Sequence, residues 1–552
     1  MNNTSKLTFP ALFQESLENN RDQVFLSFVG EEPYTYKTAH NKILSVISFL
    51  EDLGINPGDK VAILSTNMPN WGIVYLATTF MGAVAVPILP DFQSTEIKNV
   101  LTHSETKALF VSHGLIKKLE DEAKEYVKNI VRIDDFSVIS SENLTAALNP
   151  EAKPKKDYQV GEEDLASIIY TSGTTGKSKG VMLTHKNISY TAIATQDIQP
   201  VNRNDRFLSI LPLSHTYENT LGFIIPMTSG ASVYYMKKPP TASALLPALK
   251  KVKPTMMLSV PLVIEKIYKT KILPQFQRTW YLRLLYKVPF LRKKFNQVAG
   301  KKLLNTFGGQ IKFFGIGGAK LDKMVERFLS EAKFPYSIGY GLTETSPLLA
   351  GANPALTRLH STGPAMKGVS IKIHDPDSKT GEGEIWIKGP NVMKGYYKEP
   401  ELTKEAFSTD GWFKTGDLGV FDKDNFLYIK GRLKNMIVGN NGENIYPEEI
   451  ESVINNFKNV VESLVVEKKG KLVAMVHINK EDIEKRYHQF KEGFTLMVEK
   501  KVEEWRNELH DYINSRVNRF SQVQRVEVHS TPFEKTATQK IKRFLYTHNK
   551  QN

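Results

Sequence analysis

A loop rich in glycine, hydroxyl and lysine side chains follows an apolar stretch in the first third of the chain. The apolar residues are IIY (168–170), and the loop is TSGTTGKSKG (171–180). Glycines let a loop turn its backbone amides inward, hydroxyl groups add donors, and lysines add positive charge. These features predict a phosphate-binding loop. The common GxxxxGK[ST] pattern is not met, because position 171, where its first glycine would precede Gly176, is a threonine.

Seven further motifs follow the loop along the chain. They are LPLSHTYE (211–218), GGA (317–319), YGLTE (340–344), GEIWIKG (383–389), WFKTGDLG (412–419), GRLKN (431–435) and KTATQKIKR (535–543). With the loop, these motifs resemble the signature of the adenylate-forming (AMP-binding) superfamily, and the resemblance spans about residues 8–546. The run from 410 to 451 is most similar to long-chain fatty acid–CoA ligases, the acyl-CoA synthetases.

The resemblance implies an acid–thiol ligase that works in two half-reactions. A carboxylate attacks the α-phosphate of ATP and gives acyl-AMP and pyrophosphate, and a thiol, usually that of coenzyme A, then displaces AMP. The first half-reaction requires neutralised phosphate charge and a well-held leaving group more than proton transfer. ATP, Mg²⁺ and coenzyme A are the implied cofactor and substrates.

Phosphate and metal contacts are implied for two of the motifs. The 171–180 loop would hold the β- and γ-phosphates through Thr171, Ser172, Gly173, Thr174, Thr175, Gly176 and Lys177. Glu344, together with Thr171, would hold Mg²⁺ through hard oxygen ligands. Thr343 would bind the α-phosphate.

Adenosine contacts are implied for three further motifs. Tyr340 would stack on adenine against the backbone of Gly317, Gly318 and Ala319, and Gly341 belongs to the same nucleotide-binding set. The Asp417 carboxylate would accept hydrogen bonds from the ribose hydroxyls, with Arg432 assisting.

The remaining implied roles concern catalysis, domain movement and the acyl group. Lys540 would be the catalytic lysine of the first half-reaction, acting with Thr343 and Glu344, and Lys434 matches a hinge. Gly442 matches the glycine that lets a thiol approach closely, although a simple turn glycine is the alternative. His215 fits the mouth of an acyl pocket, although a structural histidine is the alternative.

Composition bounds the class of protein. The chain has 552 residues, of which 41% are hydrophobic and 24% charged, as in an ordinary globular protein of three or four packed units. The absence of cysteine excludes disulfides, thiolate zinc sites, iron–sulfur clusters and a cysteine nucleophile. The first residues lack an apolar run of signal-peptide length. We expect a cytoplasmic protein, with peripheral contact to the inner face of the membrane as a further expectation.

The positive charge is concentrated in one segment. The net charge is +14, and residues 250–302 hold fourteen Lys or Arg but a single acid, Glu265. Aromatic residues interleave with these cations: Tyr268, Phe276, Trp280, Tyr281, Tyr286, Phe290 and Phe295. The pattern fits a solvated helical surface with inward aromatics, a patch for an anionic membrane, or a nucleic-acid patch. Given the resemblance, no nucleic acid is expected.

The strands and helices that must position these motifs are predicted to form an α/β protein. Apolar runs such as 60–64, 83–89, 108–111 and 311–315 alternate with helical stretches, which predicts βαβ layers with mostly parallel strands. The uncharged stretch 71–89 is interpreted as a buried helix and a buried strand, not a membrane span. A Lys- and Pro-rich segment, 151–157, is interpreted as a linker between two layers.

The predicted organisation is a large N-terminal domain, 1–431, and a smaller, mobile α+β domain, 432–552. The first contains a β-rich subdomain at about 363–430, and the hinge lies near Lys434. A long charged helical stretch, 480–518, and a helix beginning near Pro447 belong to the second domain.

The most favoured function is a fatty acid–CoA ligase. A fatty acyl–acyl carrier protein ligase and a CoA ligase for a short-chain or aromatic acid stay open. The acyl chain length also stays open, since the residues that shape an acyl pocket are scattered through the N-terminal domain. A membrane-binding protein with an inactive site is the rival from another class.

Overall fold

The computed structural model describes residues 6–119, 123–141, 146–172, 178–438, 443–468, 470–478, 494–529, 531–536 and 540–547. Two large sheets dominate the N-terminal part. The first has eight strands, in the spatial order Gly395–Tyr396, Ser178–Thr184, Leu165–Ser172, Val84–Ile88, Lys60–Leu64, Thr106–Val111, Asn129–Arg132 and Val138–Ser140. Its central neighbours are parallel, and the edge strands pair antiparallel.

The second sheet has seven strands. Their order is Tyr336–Ile338, Phe313–Ile316, Met256–Ser259, Arg206–Ser209, Ser232–Tyr235, Val24–Phe28 and Tyr34–Thr35, all parallel except the last pair. The carboxyl ends of its parallel strands meet along one edge, which is where open α/β sheets place their ligand sites.

Burial on both faces explains the nearly continuous apolar runs. In Lys60–Leu64, Val61 and Ile63 join the core that lies between the two large sheets, whereas Ala62 and Leu64 join the core on the opposite face. A strand covered on both sides has no solvent face to mark with polar residues. The strands predicted at 60–64, 83–89, 108–111 and 311–315 are therefore confirmed, with boundary shifts of one or two residues.

Helices cover both large sheets. The α-helices are Phe9–Asn20, Tyr36–Asp52, Pro69–Phe80, Ser94–His103, Ala123–Tyr126, His185–Ala194, Ile225–Ser229, Ala242–Val252, Pro261–Ile267, Leu273–Gln277, Trp280–Lys287, Pro289–Thr306, Lys323–Glu331, Pro400–Ala406, Pro447–Ile454, Phe494–Asn514 and Phe544–Thr547. Short 3₁₀ turns occupy His113–Lys118, Thr195–Asp197, Thr343–Thr345, Leu433–Asn435 and Arg519–Ser521, and π-helical turns occupy Tyr217–Ile224 and Tyr268–Ile272.

The interpretation of 71–89 as core is confirmed. Helix Pro69–Phe80 is followed by the fully buried strand Val84–Ile88. Among the described residues, no helix is both long and apolar enough to span a membrane. The interpretation of 151–157 as a linker between layers is wrong, because the strands on either side, Val138–Ser140 and Leu165–Ser172, belong to the same sheet.

Two smaller sheets complete the fold. Strands Ser370–His374, Gly383–Lys388, Phe413–Phe421 and Leu427–Arg432 form an antiparallel sheet within the predicted β-rich unit. Strands Val460–Lys468, Lys471–Ile478 and Arg525–His529 form the C-terminal sheet. Two-stranded ribbons join Tyr340–Gly341 to Leu348–Ala350 and Ile437–Val438 to Asn444–Ile445.

The C-terminal sheet has its own apolar core. Helices Pro447–Ile454 and Phe494–Asn514 contribute Ile450, Ile454, Leu509 and Ile513 to it. The chain is therefore a large N-terminal α/β part with a smaller C-terminal α+β part. Of the charged stretch predicted to be helical at 480–518, residues 494–514 form a helix, and 480–493 lie outside the described residues.

Candidate active site

Asp417 is a buried carboxylate with both oxygens engaged. It lies in strand Phe413–Phe421, directly opposite Arg432 in the neighbouring strand. The Tyr340 hydroxyl donates to its Oδ2 at 2.8 Å, and Arg432 Nε lies 2.9 Å from its Oδ1. Burial raises the pKa of Asp417, and the Arg432 cation, the Tyr340 hydrogen bond and Lys540 partly offset that rise. A carboxylate with two oxygens retains lone pairs for further donors.

Glu344 lies in a tight turn that is held by hydrogen bonds from residues 391–396 of the same chain. The Tyr396 hydroxyl donates to Glu344 Oε1 at 3.0 Å, and the Met393 amide donates to the Glu344 carbonyl at 2.8 Å. Beyond the turn, the Asn391 side chain donates to the carbonyls of Thr345 and Leu348. The turn therefore holds Glu344, and Thr343 beside it, at the carboxyl edge of the second sheet.

Tyr396 links Glu344 to the phosphate-binding loop. Strand Gly395–Tyr396 pairs with Ser178–Thr184, and Lys179 Nζ lies 5.1 Å from the centre of the Tyr396 ring. Lys179 is also the register partner of Thr171 in the adjacent strand. Thr171 and Glu344, the two predicted metal ligands, are thus linked through strand Ser178–Thr184, which pairs with the strand of Thr171 on one side and with the strand of Tyr396 on the other. Tyr396 was missed by sequence reasoning because it lies outside the motifs.

The central part of the loop, Gly173, Thr174, Thr175, Gly176 and Lys177, lies outside the described residues, as does Gly442. Ser172 is described only as the end of strand Leu165–Ser172. Lys434 lies in the exposed turn Leu433–Asn435, between the β-rich sheet and the ribbon that precedes the C-terminal part. The hinge assigned to Lys434 stays a prediction.

Lys540 comes from the C-terminal part into this group of charges. The Lys540 side chain is accessible to solvent. The protein packed around its ammonium group nevertheless removes part of the group's hydration, which lowers the pKa of Lys540. Arg432 adds to this lowering, whereas Asp417 and Glu344 oppose it by attraction. The side chain is thus coupled to three of the residues predicted to contact nucleotide or metal.

A short hairpin presents Lys540. The Thr536 amide donates to the Lys540 carbonyl at 2.8 Å, and the backbones of Lys535 and Ile541 form an antiparallel β-bridge. Arg543, directly after the hairpin, forms a two-oxygen ion pair with Glu451 at 2.8 and 2.9 Å. Helix Pro447–Ile454, which carries Glu451, therefore anchors the hairpin.

The same helix and the two residues after it contact the N-terminal part. Glu449 pairs with Lys320 at 3.2 Å, and the Asn455 carbonyl accepts from Lys269 Nζ at 3.0 Å. Asn456 donates to Asp322. These polar contacts fix the orientation in which the hairpin reaches Asp417 and Glu344.

The surroundings of His215 favour the neutral form of its imidazole. Burial and the nearby Lys540 cation lower its pKa to about 4. Its Nδ1 accepts a hydrogen bond from the Tyr217 amide at 3.3 Å, so the remaining proton is carried by Nε2. A neutral imidazole that offers an N–H donor can hold an anionic oxygen without adding a full charge.

Tyr217 packs against one glycine within strand Phe313–Ile316 and one directly after it. A Cβ built on Gly317 would lie 3.1 Å from Tyr217 Cζ, and one on Gly315 would lie 3.1 Å from the Tyr217 hydroxyl. Glycine at these positions lets the ring lie on the backbone. Gly318 adopts a φ of +84°, which favours glycine, and Ala319 follows it. Tyr217 was not singled out from the sequence, although it lies inside LPLSHTYE.

Gly341 has a packing requirement of its own. A Cβ at this position would lie 1.9 Å from the carbonyl oxygen of Pro347, the residue directly before the partner strand of the ribbon. Any side chain would therefore force the strands apart beside Tyr340. Its predicted nucleotide contact stays a prediction.

The metal chemistry expected here suits the donors present. Among the described residues, no group of three or more His, Cys, Asp or Glu side chains is arranged around a common point. Mg²⁺ often uses only one or two protein carboxylates together with substrate phosphates and water. Glu344 with the Thr171 hydroxyl fits that pattern and does not fit a closed, all-protein cage.

Comparison with known proteins agrees with this architecture. The family model described as "AMP-binding enzyme" matches residues 13–397. A long-chain-fatty-acid–CoA ligase of Mycobacterium bovis, FadD15, is 31% identical over 82% of this chain and 78% of its own length. A chloroplastic long-chain-fatty-acid–[acyl-carrier-protein] ligase of Arabidopsis thaliana, AEE15, is 28% identical over 90% of this chain and 80% of its own.

Solved structures share the fold across nearly the whole chain. The o-succinylbenzoate–CoA synthetase of Bacillus subtilis in complex with ATP and a magnesium ion superposes with a TM-score of 0.76 at 23% identity, covering 97% of this chain and 98% of that one. Because the family model covers well over half of the 552 residues, the chain belongs to the AMP-binding enzyme family.

Proposed function

We propose that the protein uses ATP to convert a fatty acid carboxylate to acyl-AMP and then transfers the acyl group to the thiol of coenzyme A. The observation that carries this proposal is the position of Lys540. A cation from the C-terminal part is electrostatically coupled to Asp417, Glu344 and Arg432 of the N-terminal part. A positive charge beside a nucleotide-type site suits a reaction in which negative charge is redistributed at phosphorus.

In the first half-reaction, a carboxylate oxygen forms a bond to the α-phosphorus while the bond to the pyrophosphate oxygen breaks. Asp417 accepts from the ribose hydroxyls, and Tyr340, oriented by its hydrogen bond to Asp417, stacks on adenine. Thr343 and Lys540 hold the α-phosphate oxygens. Fixing these groups before reaction supplies rate enhancement through positioning.

Mg²⁺, held by Glu344 and Thr171, would neutralise the phosphate oxygens of ATP. Tyr396 orients Glu344 through its hydroxyl, and Lys179 lies against the Tyr396 ring. The loop 171–180 contributes amides and hydroxyl groups to the β- and γ-phosphates.

For the acyl group, His215 supports a pocket mouth beside the α-phosphate. Its neutral imidazole can donate from Nε2 to a carboxylate oxygen without competing with Lys540 for it. Tyr217 would form the adjoining wall, against Gly315 and Gly317.

In the second half-reaction, a thiol sulfur bonds to the acyl carbon, the bond to AMP breaks, and the thiol proton is released. The contacts of Glu449 with Lys320 and of Asn456 with Asp322 would have to open for the C-terminal part to turn about Lys434. Gly442 would then face the incoming thiol. The sequence relatives named for coenzyme A support this acceptor.

A carrier-protein acceptor is the second candidate, and the similarity to the Arabidopsis thaliana acyl-carrier-protein ligase favours it. The two are separated by supplying either coenzyme A or holo-acyl carrier protein after acyl-AMP has formed. If a thioester forms on the carrier protein and not on coenzyme A, the carrier protein is the acceptor. A CoA ligase for short-chain or aromatic acids is tested by the same assay with a panel of carboxylates.

The test of the activity itself is pyrophosphate release with ATP, Mg²⁺ and palmitate. We expect release that depends on the fatty acid, followed by AMP and thioester when coenzyme A is added. Pyrophosphate release that is absent with every carboxylate of the panel would overturn the proposal in favour of a binding protein.

A further inference from the structure

The basic segment 250–302 has aromatic residues of two kinds. Four face the protein: Tyr268, Phe276, Tyr286 and Phe295. Three face solvent: Trp280 is 73% exposed, Phe290 64% and Tyr281 50%. The outward group lies in the hairpin formed by helices Trp280–Lys287 and Pro289–Thr306, whereas strand Met256–Ser259 and Tyr268 belong to the core.

The inner face of this hairpin is firmly held. The Phe276 and Tyr286 rings stack with their centres 4.7 Å apart, and the Tyr286 hydroxyl donates to Asn296 at 2.9 Å. Arg292 pairs with Glu331 at 2.7 Å, and Asn296 donates to the same carboxylate. The exposure of the outer residues is therefore a property of a packed hairpin.

The outer face of the hairpin is an apolar stripe. Five of its residues, in and directly after the first helix, recur at positions i, i+1, i+4, i+5 and i+8: Trp280, Tyr281, Leu284, Leu285 and Val288. Phe290 extends the stripe into the second helix. All six are exposed. The solvent side of a surface helix is normally polar, so this face is unusual. Contiguous exposed apolar surface marks interaction sites.

Exposed cations flank the stripe: Arg278, Arg283, Lys287, Lys293 and Lys294. No acid occurs in the sequence between residues 266 and 302. The neighbouring acid Glu331 is already paired with Arg292. The outer face therefore combines apolar and aromatic side chains with uncompensated positive charge.

We propose that this outer face docks onto an anionic lipid bilayer. Tryptophan and tyrosine prefer the interface between headgroups and acyl chains, while lysine and arginine contact anionic headgroups. A second copy of the chain is a poorer occupant. A two-fold contact would bury the apolar stripe but set the same basic rim against itself. The proposal is independent of the acyl substrate.

The first test compares binding to phosphatidylcholine vesicles with and without phosphatidylglycerol, at low and high salt, in the absence of substrates. We expect binding that requires phosphatidylglycerol and falls with salt. Neutralising Lys287 and Lys293 with Lys→Gln should weaken it about 25-fold, from about fivefold per basic side chain. The matched control is Lys379→Gln with Lys423→Gln, two exposed lysines of the β-rich sheet, and should bind like the wild type.

The second test addresses the apolar stripe. Phe290→Ala should weaken vesicle binding by about tenfold, from the loss of one inserted aromatic side chain. Phe520→Ala, at a 40% exposed phenylalanine in the C-terminal turn Arg519–Ser521, should leave vesicle binding unchanged. Vesicles should also shift Trp280 fluorescence to shorter wavelength, and Trp280→Phe should remove that shift.

Several outcomes would overturn the proposal. One is equally strong binding to vesicles with and without phosphatidylglycerol. Another is a loss of vesicle binding in the control lysine variant as large as that in the hairpin variant, and a third is wild-type vesicle binding by Phe290→Ala. Dimerisation that Phe290→Ala abolishes, without vesicle binding, would assign the face to a second copy instead. Turnover of a short-chain carboxylate in solution should be unchanged in each hairpin variant, which shows that the variants are folded and separates membrane docking from catalysis.

Discussion

Replacing Asp417 with asparagine should weaken nucleotide binding without a matching loss of stability. The asparagine keeps one acceptor oxygen but loses the charge. A hydrogen bond to a charged group contributes about 1.5–3 kcal/mol, so the loss of one such bond to ribose corresponds to about a tenfold to hundredfold lower ATP affinity.

The stability side follows from the pKa of Asp417. Burial raises that pKa above the value in the unfolded chain, even with Arg432 and Tyr340 nearby. The folded state then holds the Asp417 proton more tightly, so this group's contribution to the free energy of unfolding falls as pH rises between the two pKa values. Above both pKa values, the ionised Asp417 carboxylate therefore lowers the free energy of unfolding relative to its contribution at low pH. Arg432, whose side chain is 46% exposed, can be hydrated when its partner is lost.

The assay measures ATP affinity by calorimetry and unfolding by urea for Asp417→Asn and the wild type at pH 7. The matched control is Asp424→Asn, at an exposed aspartate paired with Arg358. We expect the affinity to fall at least tenfold only in Asp417→Asn, with the free energy of unfolding unchanged or higher. Unchanged ATP affinity would refute the ribose contact. A large loss of stability would refute the reasoning about burial.

Three further predictions concern neighbouring residues. Tyr396→Phe removes one hydrogen bond to Glu344 and should raise the Mg²⁺ concentration needed for half-maximal pyrophosphate release about tenfold, from about 1.5 kcal/mol; an unchanged Mg²⁺ dependence would contradict the link. Gly341→Ala places a methyl group against the Pro347 carbonyl and should lower the free energy of unfolding by at least about 1–3 kcal/mol; wild-type urea stability would contradict the contact. Gly442→Leu should leave pyrophosphate release nearly intact and abolish thioester formation, and equal loss of both would remove Gly442 from the thiol path.

The layered α/β architecture could be predicted because both faces of its central strands are buried. Such strands are apolar along their whole length, so runs such as Val84–Ile88 are visible in the sequence. Tyr340, Glu344, Asp417 and Lys540 were predicted from the motifs. In the structure Tyr340 hydrogen-bonds Asp417, and Lys540 is electrostatically coupled to Asp417 and Glu344. The β-rich sheet was visible from its glycine and aspartate turns.

Contacts between distant segments could not be predicted. Tyr396 reaches Glu344 only because strand Gly395–Tyr396 crosses to pair with the strand after the phosphate loop. The segment 151–157 resembles a linker in composition, yet it returns the chain to the same sheet. In 250–302, charge and aromatic content were visible, but the division into inner and outer faces depends on partners such as Glu331.

The central claim is that Lys540 serves acyl-AMP formation from the C-terminal part, and its most direct test assays the two half-reactions separately. Lys540→Ala removes the cation that is electrostatically coupled to Asp417, Glu344 and Arg432, whereas Lys542→Ala, at the lysine two residues further along the chain, serves as the matched control. Pyrophosphate release is measured with ATP, Mg²⁺ and fatty acid, and thioester formation with purified acyl-AMP and coenzyme A.

We expect Lys540→Ala to slow pyrophosphate release by about a hundredfold or more, equivalent to about 2.7 kcal/mol of transition-state stabilisation. The same variant should convert supplied acyl-AMP to thioester at nearly the wild-type rate, because that step uses the other orientation of the C-terminal part. A folded Lys540→Ala protein that releases pyrophosphate at the wild-type rate, or that loses both half-reactions equally, would contradict the claim.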